Sequence, residues 1–142
     1  SAGEIALAIS TDHTFRIPAI RMAEARAQHG GQSWMYEFDW KSKAFNGMLG
    51  SCHALEIPFA FGTLEAKGTE VFLGTTDIPH HVGDVMHGSW AEFIRTGDPS
   101  TETLGEWPTY ETQRRKVMRF ADHSSLVDNP WPAARESWDG IR

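Results

Sequence analysis

Between Ser33 and Trp40 large aromatic side chains alternate with smaller or polar ones. Trp34, Tyr36, Phe38 and Trp40 fall on one parity, Ser33, Met35, Glu37 and Asp39 on the other. A repeat of two is that of a strand, whose successive side chains point to opposite faces. A second strand is read at Lys116 to Ala121, which carries Val117, Met118 and Phe120. Two strands set among helical segments imply the α/β class. Two short strands are too few for an independent sheet, so strand edges and apolar helix faces should want further partners. The expectation is an incomplete α/β unit: about two sheet strands with flanking helices.

Three helices are expected. Thr11 and Asp12 offer cap oxygens to the first, along which Phe15, Ala19, Met22, Ala23 and Ala27 recur at helical spacing. Pro18 belongs near its first turn, Gly30-Gly31 stops it, and His29 sits at its carboxyl end. Thr76 or Asp77 caps the second, with Pro79 in the first turn, an apolar face of Val82, Met86, Trp90, Phe93 and Ile94, and Gly97-Asp98-Pro99 as its stop. Asp128 or Asn129 with Pro130 opens the third, lined by Trp131, Ala134, Trp138 and Ile141. Val71-Phe72-Leu73 is apolar without a defined period. Residues 1–10 start on an apolar stretch with no turn chemistry ahead of it, which has the look of a chain cut from something longer.

At 142 residues the chain is of one-domain size, long enough to bury a core, with no internal boundary expected over 1–142. Its net charge of −6 argues against a nucleic-acid partner, which rewards clustered Lys and Arg. No apolar run approaches the length of a membrane span, and no basic-then-apolar leader stands at the start. A single cysteine leaves no internal disulfide, and a cytoplasmic location is the expectation. The six Trp read as core residues rather than as a carbohydrate platform.

Chemistry is expected in the stretch Gly50-Ser51-Cys52-His53-Ala54-Leu55-Glu56-Ile57-Pro58-Phe59-Ala60-Phe61-Gly62. There a histidine follows a glycine-bearing loop and an apolar run closes the segment, the pattern of a loop-mounted His over a buried floor. Cys52 reads as a small hydrophobe rather than a nucleophile, because sequence neighbours usually point apart. His80, Asp84 and His87 share a helix face at i, i+4 and i+7, a spacing adequate for zinc, but the bland reading as a solvated face is preferred.

Several stretches together resemble the type-B carboxylesterases, the α/β-hydrolase family that includes para-nitrobenzyl-type esterases and cholinesterases. They are Thr11-Asp12-His13-Thr14-Phe15-Arg16-Ile17-Pro18-Ala19, Tyr36-Glu37-Phe38-Asp39-Trp40, Gly50 to Gly62, Trp90-Ala91-Glu92-Phe93-Ile94-Arg95-Thr96-Gly97-Asp98-Pro99, and Trp107-Pro108-Thr109-Tyr110. The resemblance implies that residues 1–142 form the C-terminal portion of an α/β-hydrolase fold. It implies that His53 is the histidine of a Ser, Glu/Asp, His triad, which comes last in the chain order of this fold. Gly-x-Ser-x-Gly is absent from the 142 residues. Serine, acid and oxyanion segment would lie upstream, making the isolated chain inactive.

On that resemblance Glu56 is not the triad acid but a structural hydrogen-bonding residue near His53, and Asp12 is a structural cap. Met48, Leu49 and Phe61 flank the His53 loop as possible pocket lining. No cofactor is implied and no metal. The implied partners are the N-terminal portion of the same enzyme and a small carboxylic ester, with a dimer or swapped oligomer for the isolated chain. The alternative is a catalytically silent α/β-hydrolase-like interaction domain, since fold alone does not separate the two.

Overall fold

The computed structural model describes residues 1–141. Helix α1 (Ala2–Thr11) begins at once, because Ser1 Oγ accepts from the Glu4 N–H while the Glu4 carboxylate reaches back to the chain's first nitrogen. That reciprocal pair is a capping box, written in the sequence as Ser-x-x-Glu. It corrects two expectations. A helix-start signal does stand ahead of residues 2–10, and Asp12 is not an N-cap but the C-cap residue of α1. Instead Asp12–Arg16 forms a π-helical turn that joins α1 to α2 (Ile17–Gln28), with the buried Asp12 carboxylate accepting from Arg16.

The buried residues of α2 are Ile17, Ile20 and Ala23, whereas Phe15 is 51% and Met22 73% exposed. The helical period holds and Ala23 is buried as expected, but Ile17 and Ile20 complete the buried face in place of Phe15 and Met22. Ala23 packs with Tyr110 and Val117, against which Met35 also lies. At the end of α2, His29 Nδ1 donates to the Ala25 carbonyl at 2.8 Å, as expected of a histidine at a helix carboxyl end.

The sheet has three strands in the order β1 (Tyr36–Phe38), β2 (Lys116–Phe120), β3 (Ser125–Asp128). β1 and β2 are parallel, with Tyr36 opposite Met118, Glu37 opposite Arg119 and Phe38 opposite Phe120. The charged pair in the middle closes as an ion pair at 3.0 Å. Two strands were expected, and β3 corrects that number. β1 is also shorter than its alternating run, because strand structure requires pairing and only these three residues have it.

Between β1 and β2 lie a 3-10 turn (Ala44–Gly47), the one-turn helices α3 (Ile57–Ala60) and α4 (Glu70–Leu73), and the long α5 (His80–Thr96). Leu73 is buried in α4, which settles the type of the Val71-Phe72-Leu73 run. α5 starts from Pro79 without a side-chain cap; Thr76 and Asp77 do not cap it, and the Asp77 carboxylate instead pairs with Lys43 at 3.3 Å. Its buried residues are Val82, Gly83, Met86 and Ser89, while Phe93 and Ile94 are 45% and 80% exposed, against expectation.

The last helix, α6 (Pro132–Glu136), is shorter and later than expected. Asp128 ends β3 and pairs with Lys116 at 2.9 Å, so neither it nor Asn129 caps α6, whose start is Trp131 at φ 60°. Trp131 and Ile141 are about half exposed rather than lining an inner face.

The chain makes two compact units, one from Ser1–Met35, Thr109–Val117 and the residues from Val127 onward, the other from Tyr36–Pro108 and Met118–Leu126. Among the described residues no helix is long and apolar enough to cross a membrane.

Candidate active site

All of the Gly50–Gly62 stretch lies in the second unit. β1 leads into it: the Asp39 N–H donates to the Phe120 carbonyl at 2.8 Å, and the following Trp40 is 3% exposed. From Trp40 the chain loops outward and returns. Phe45 and Asn46 turn it in the left-handed region, at φ 51° and 58°, and the Ser42 N–H closes the loop on the Gly50 carbonyl at 3.0 Å. Ser51 Oγ then donates to the Trp40 carbonyl at 2.8 Å. The residues ahead of His53 are thereby tied to the segment that leaves β1.

His53 stands exposed on the turn that follows, and Cys52 beside it is half-buried. The Leu55 N–H donates to the Cys52 carbonyl at 3.2 Å and the Ile57 N–H to the Ala54 carbonyl at 3.3 Å. Ala54, next to His53, is left-handed at φ 68°. For a residue with a Cβ this conformation costs about 1–2 kcal/mol, so the surrounding bonds must hold it. Below the turn, Leu55 and Phe59 are fully buried, and the Phe59 ring lies 4.8 Å from Phe38 and 5.3 Å from Trp40, centroid to centroid. The result is a surface histidine on a buried apolar floor.

Glu56 is half-buried and serves α3 through its backbone, its carbonyl accepting from Phe59 and Ala60 at 3.0 and 2.9 Å; its side chain makes no cap bond. Its charge reaches Tyr36, whose phenol is pushed above its ordinary value by burial first and by Glu56 second. Met48 and Phe61 are 86% and 67% exposed, and Leu49 is half-buried. Asp12 belongs to the first unit, where it pairs with Arg16.

The α5 histidines each have a separate local partner. His80 Nε2 lies 3.1 Å from Glu65, His81 Nε2 donates to the Asp122 carbonyl at 3.0 Å, and His87 Nδ1 donates to the Ala60 carbonyl at 2.9 Å. Asp84 is exposed. Among the described residues no three His, Cys, Asp or Glu side chains gather where a metal ion would be held. The sequence marks His87 only as a metal candidate and gives Gly83 no role; nothing local distinguishes Gly83, which is buried, from Gly88, whose added Cβ would meet nothing within 4 Å.

The carboxylesterase family model matches residues 2–137. The para-nitrobenzyl esterase of Bacillus subtilis (strain 168) is 32% identical over 128 residues, which are 89% of this chain and 25% of that protein. The phenmedipham hydrolase of Pseudarthrobacter oxydans is 32% identical over 118 residues, 82% of this chain and 24% of that protein. A crystal structure of a Geobacillus stearothermophilus carboxylesterase aligns with a TM-score of 0.78 at 32% identity, covering 92% of this chain and 26% of that one. The chain thus spans about a quarter of the length of these relatives. Matched over almost its whole length, and with structural neighbours that are carboxylesterases of the α/β-hydrolase fold, the chain belongs to the carboxylesterase family.

Proposed function

We propose that the chain is the C-terminal, histidine-bearing portion of a carboxylic ester hydrolase, and that His53 is its proton carrier. The observation that supports this reading most directly is the setting of His53: an exposed imidazole on a turn tied to the segment that leaves β1 and seated on the buried Leu55 and Phe59. An imidazole changes charge near neutrality, so it can take a proton and return it within one turnover. As general base it would draw the proton from a serine hydroxyl as the oxygen attacks the ester carbonyl. As general acid it would pass that proton to the departing alkoxide, leaving an acyl-enzyme that water cleaves by the same route.

The 142 residues contain no Gly-x-Ser-x-Gly. On this reading the serine, the acid that orients His53 and the oxyanion-hole donors come from upstream sequence in the complete enzyme. Carboxylic esters follow as the substrate class from the relatives, which include a para-nitrobenzyl esterase. The chain by itself would then lack measurable turnover.

The test is release of nitrophenol from a para-nitrophenyl ester by the complete enzyme and by the 142-residue chain. In the complete enzyme His53→Ala should lower kcat by about a millionfold, the scale of losing the histidine of a serine-hydrolase triad. Near-wild-type turnover in His53→Ala would remove His53 from the reaction. Turnover by the isolated chain that vanishes in His53→Ala would overturn the inactivity.

A further inference from the structure

The turn that carries His53 is held at its front by Ser51, and its rear end is α3. α3 is a single helical turn, too short to persist on its own. Its last carbonyls lack partners within the helix and must find them elsewhere. One of them, Ala60, receives the Nδ1–H of His87 from the middle of α5 at 2.9 Å. A carbonyl oxygen only accepts, so Nδ1 carries the hydrogen, and it does so in both the neutral and the charged ring. The bond therefore survives protonation of His87.

Two glycines of this region lie close to their neighbours, Gly62 to His87 itself and Gly83 to the apolar side chains beneath the turn. A Cβ on Gly62, which is left-handed at φ 65°, would stand 3.3 Å from His87 Nδ1. One helical turn before His87, a Cβ on Gly83 would stand 2.6 Å from Leu64 Cδ1 and 4.0 Å from the Phe59 ring. α5 therefore presents a strip, bare at Gly83 and donating at His87, on which the floor and the rear end of the His53 turn rest. Between Cys52 and Ala60 overlapping turns are closed by backbone bonds from Leu55 to Cys52, from Ile57 to Ala54, and from Phe59 and Ala60 to Glu56. These turns are the route by which the position of Ala60 bears on that of His53.

We infer that His87 is a positioning residue, which holds His53 in place by clamping the Ala60 carbonyl at the rear of its turn. The inference rests on the proposed role of His53. His87 is itself exposed, so replacing it opens no core, and a loss of rate would report position rather than folding.

The experiment compares His53→Ala, His87→Leu and His87→Asn in the complete enzyme, by steady-state hydrolysis of a para-nitrophenyl ester and by amide hydrogen exchange. His87→Leu should lower kcat about 10- to 100-fold, the scale of a displacement near 1 Å of a catalytic group. KM should stay within about twofold, because substrate binding is not the property removed. Exchange at residues 55–61 should quicken by about tenfold or more while that of β1 and β2 is unchanged. Asn keeps an N–H close to the place of Nδ1 and should restore most of both. Where His53→Ala is inactive, wild-type kcat in His87→Leu overturns the inference, as does an equal loss in His87→Asn or a quickening of exchange shared by β1 and β2. If His53→Ala remains active, the role of His53 is what fails, and exchange at 55–61 alone decides whether His87 holds the turn.

Discussion

Tyr36 lies in β1 with its ring edge-on to Phe120 at 5.8 Å and near Trp90 at 6.1 Å. Burial raises its phenol above the ordinary value of 10.0, and the negative charge of Glu56 raises it further. The folded state therefore holds this proton more tightly than the unfolded chain does. By linkage, the stabilisation is fully present below the unfolded value and is lost as pH rises from there toward the folded one. Tyr110 is raised in the same direction, first by burial and then by Glu24, with Arg115 and Arg135 opposing. Urea midpoints read by tryptophan fluorescence should fall once pH passes about 10, where unfolded tyrosine ionises. Tyr36→Phe should remove part of that fall while Tyr110 supplies the rest. An alkaline fall of unchanged size in Tyr36→Phe would show that the Tyr36 hydroxyl meets solvent equally in both states.

Within α5 and at its C-cap, two glycines lead to opposite expectations for the same substitution. Gly97 ends the helix in the left-handed region at φ 83°, its N–H returning to the Phe93 carbonyl at 2.8 Å. A methyl group there is strained, so Gly97→Ala should cost about 1–2 kcal/mol. Gly88 lies inside the helix, and a Cβ built on it meets nothing within 4 Å. Gly88→Ala should therefore raise stability by up to about 1 kcal/mol, by helix propensity alone. Denaturant midpoints that move down for Gly97→Ala and up for Gly88→Ala confirm the pair; movement in one direction for both would refute it. The contrast also marks what could be read from sequence. The Gly97 stop and the apolar residues of β2 are local signals, and the structure has them where they were read. β3 offers only Leu126 and Val127 between polar ends, and it exists because β2 is there to pair with. Asp-Asn-Pro resembles a helix start, but Lys116 holds the Asp128 carboxylate and α6 begins beyond it. At the candidate site the order around His53 was legible. The bond from His87 to Ala60 was not, because it joins residues 27 apart that only the packing of α3 on α5 brings together.

For the molecule as a whole, the exposed apolar side chains have to be set beside how little of its relatives the chain spans. α1 contains no buried residue at all, and its Ile5, Leu7 and Ile9 are 63%, 70% and 54% exposed. A helix of ten residues is marginal in water without a surface to pack on. In the second unit Met48 and Ile94 are 86% and 80% exposed. β1 and β3 are the edge strands of the described sheet, and edges recruit further strands. If the chain is one portion of an enzyme about four times its length, as the quarter coverage of its relatives supports, these surfaces are built for the remainder of that enzyme. The isolated chain should then cover them with copies of itself. Light scattering behind size exclusion should give a mass above that of one chain, rising with protein concentration. Leu7→Lys with Ile94→Lys should lower that mass toward the monomer, since each puts a hydrated charge where contact requires a dry surface. A monomeric mass for the unaltered chain at every concentration would mean that water suffices for these faces and that they need no partner.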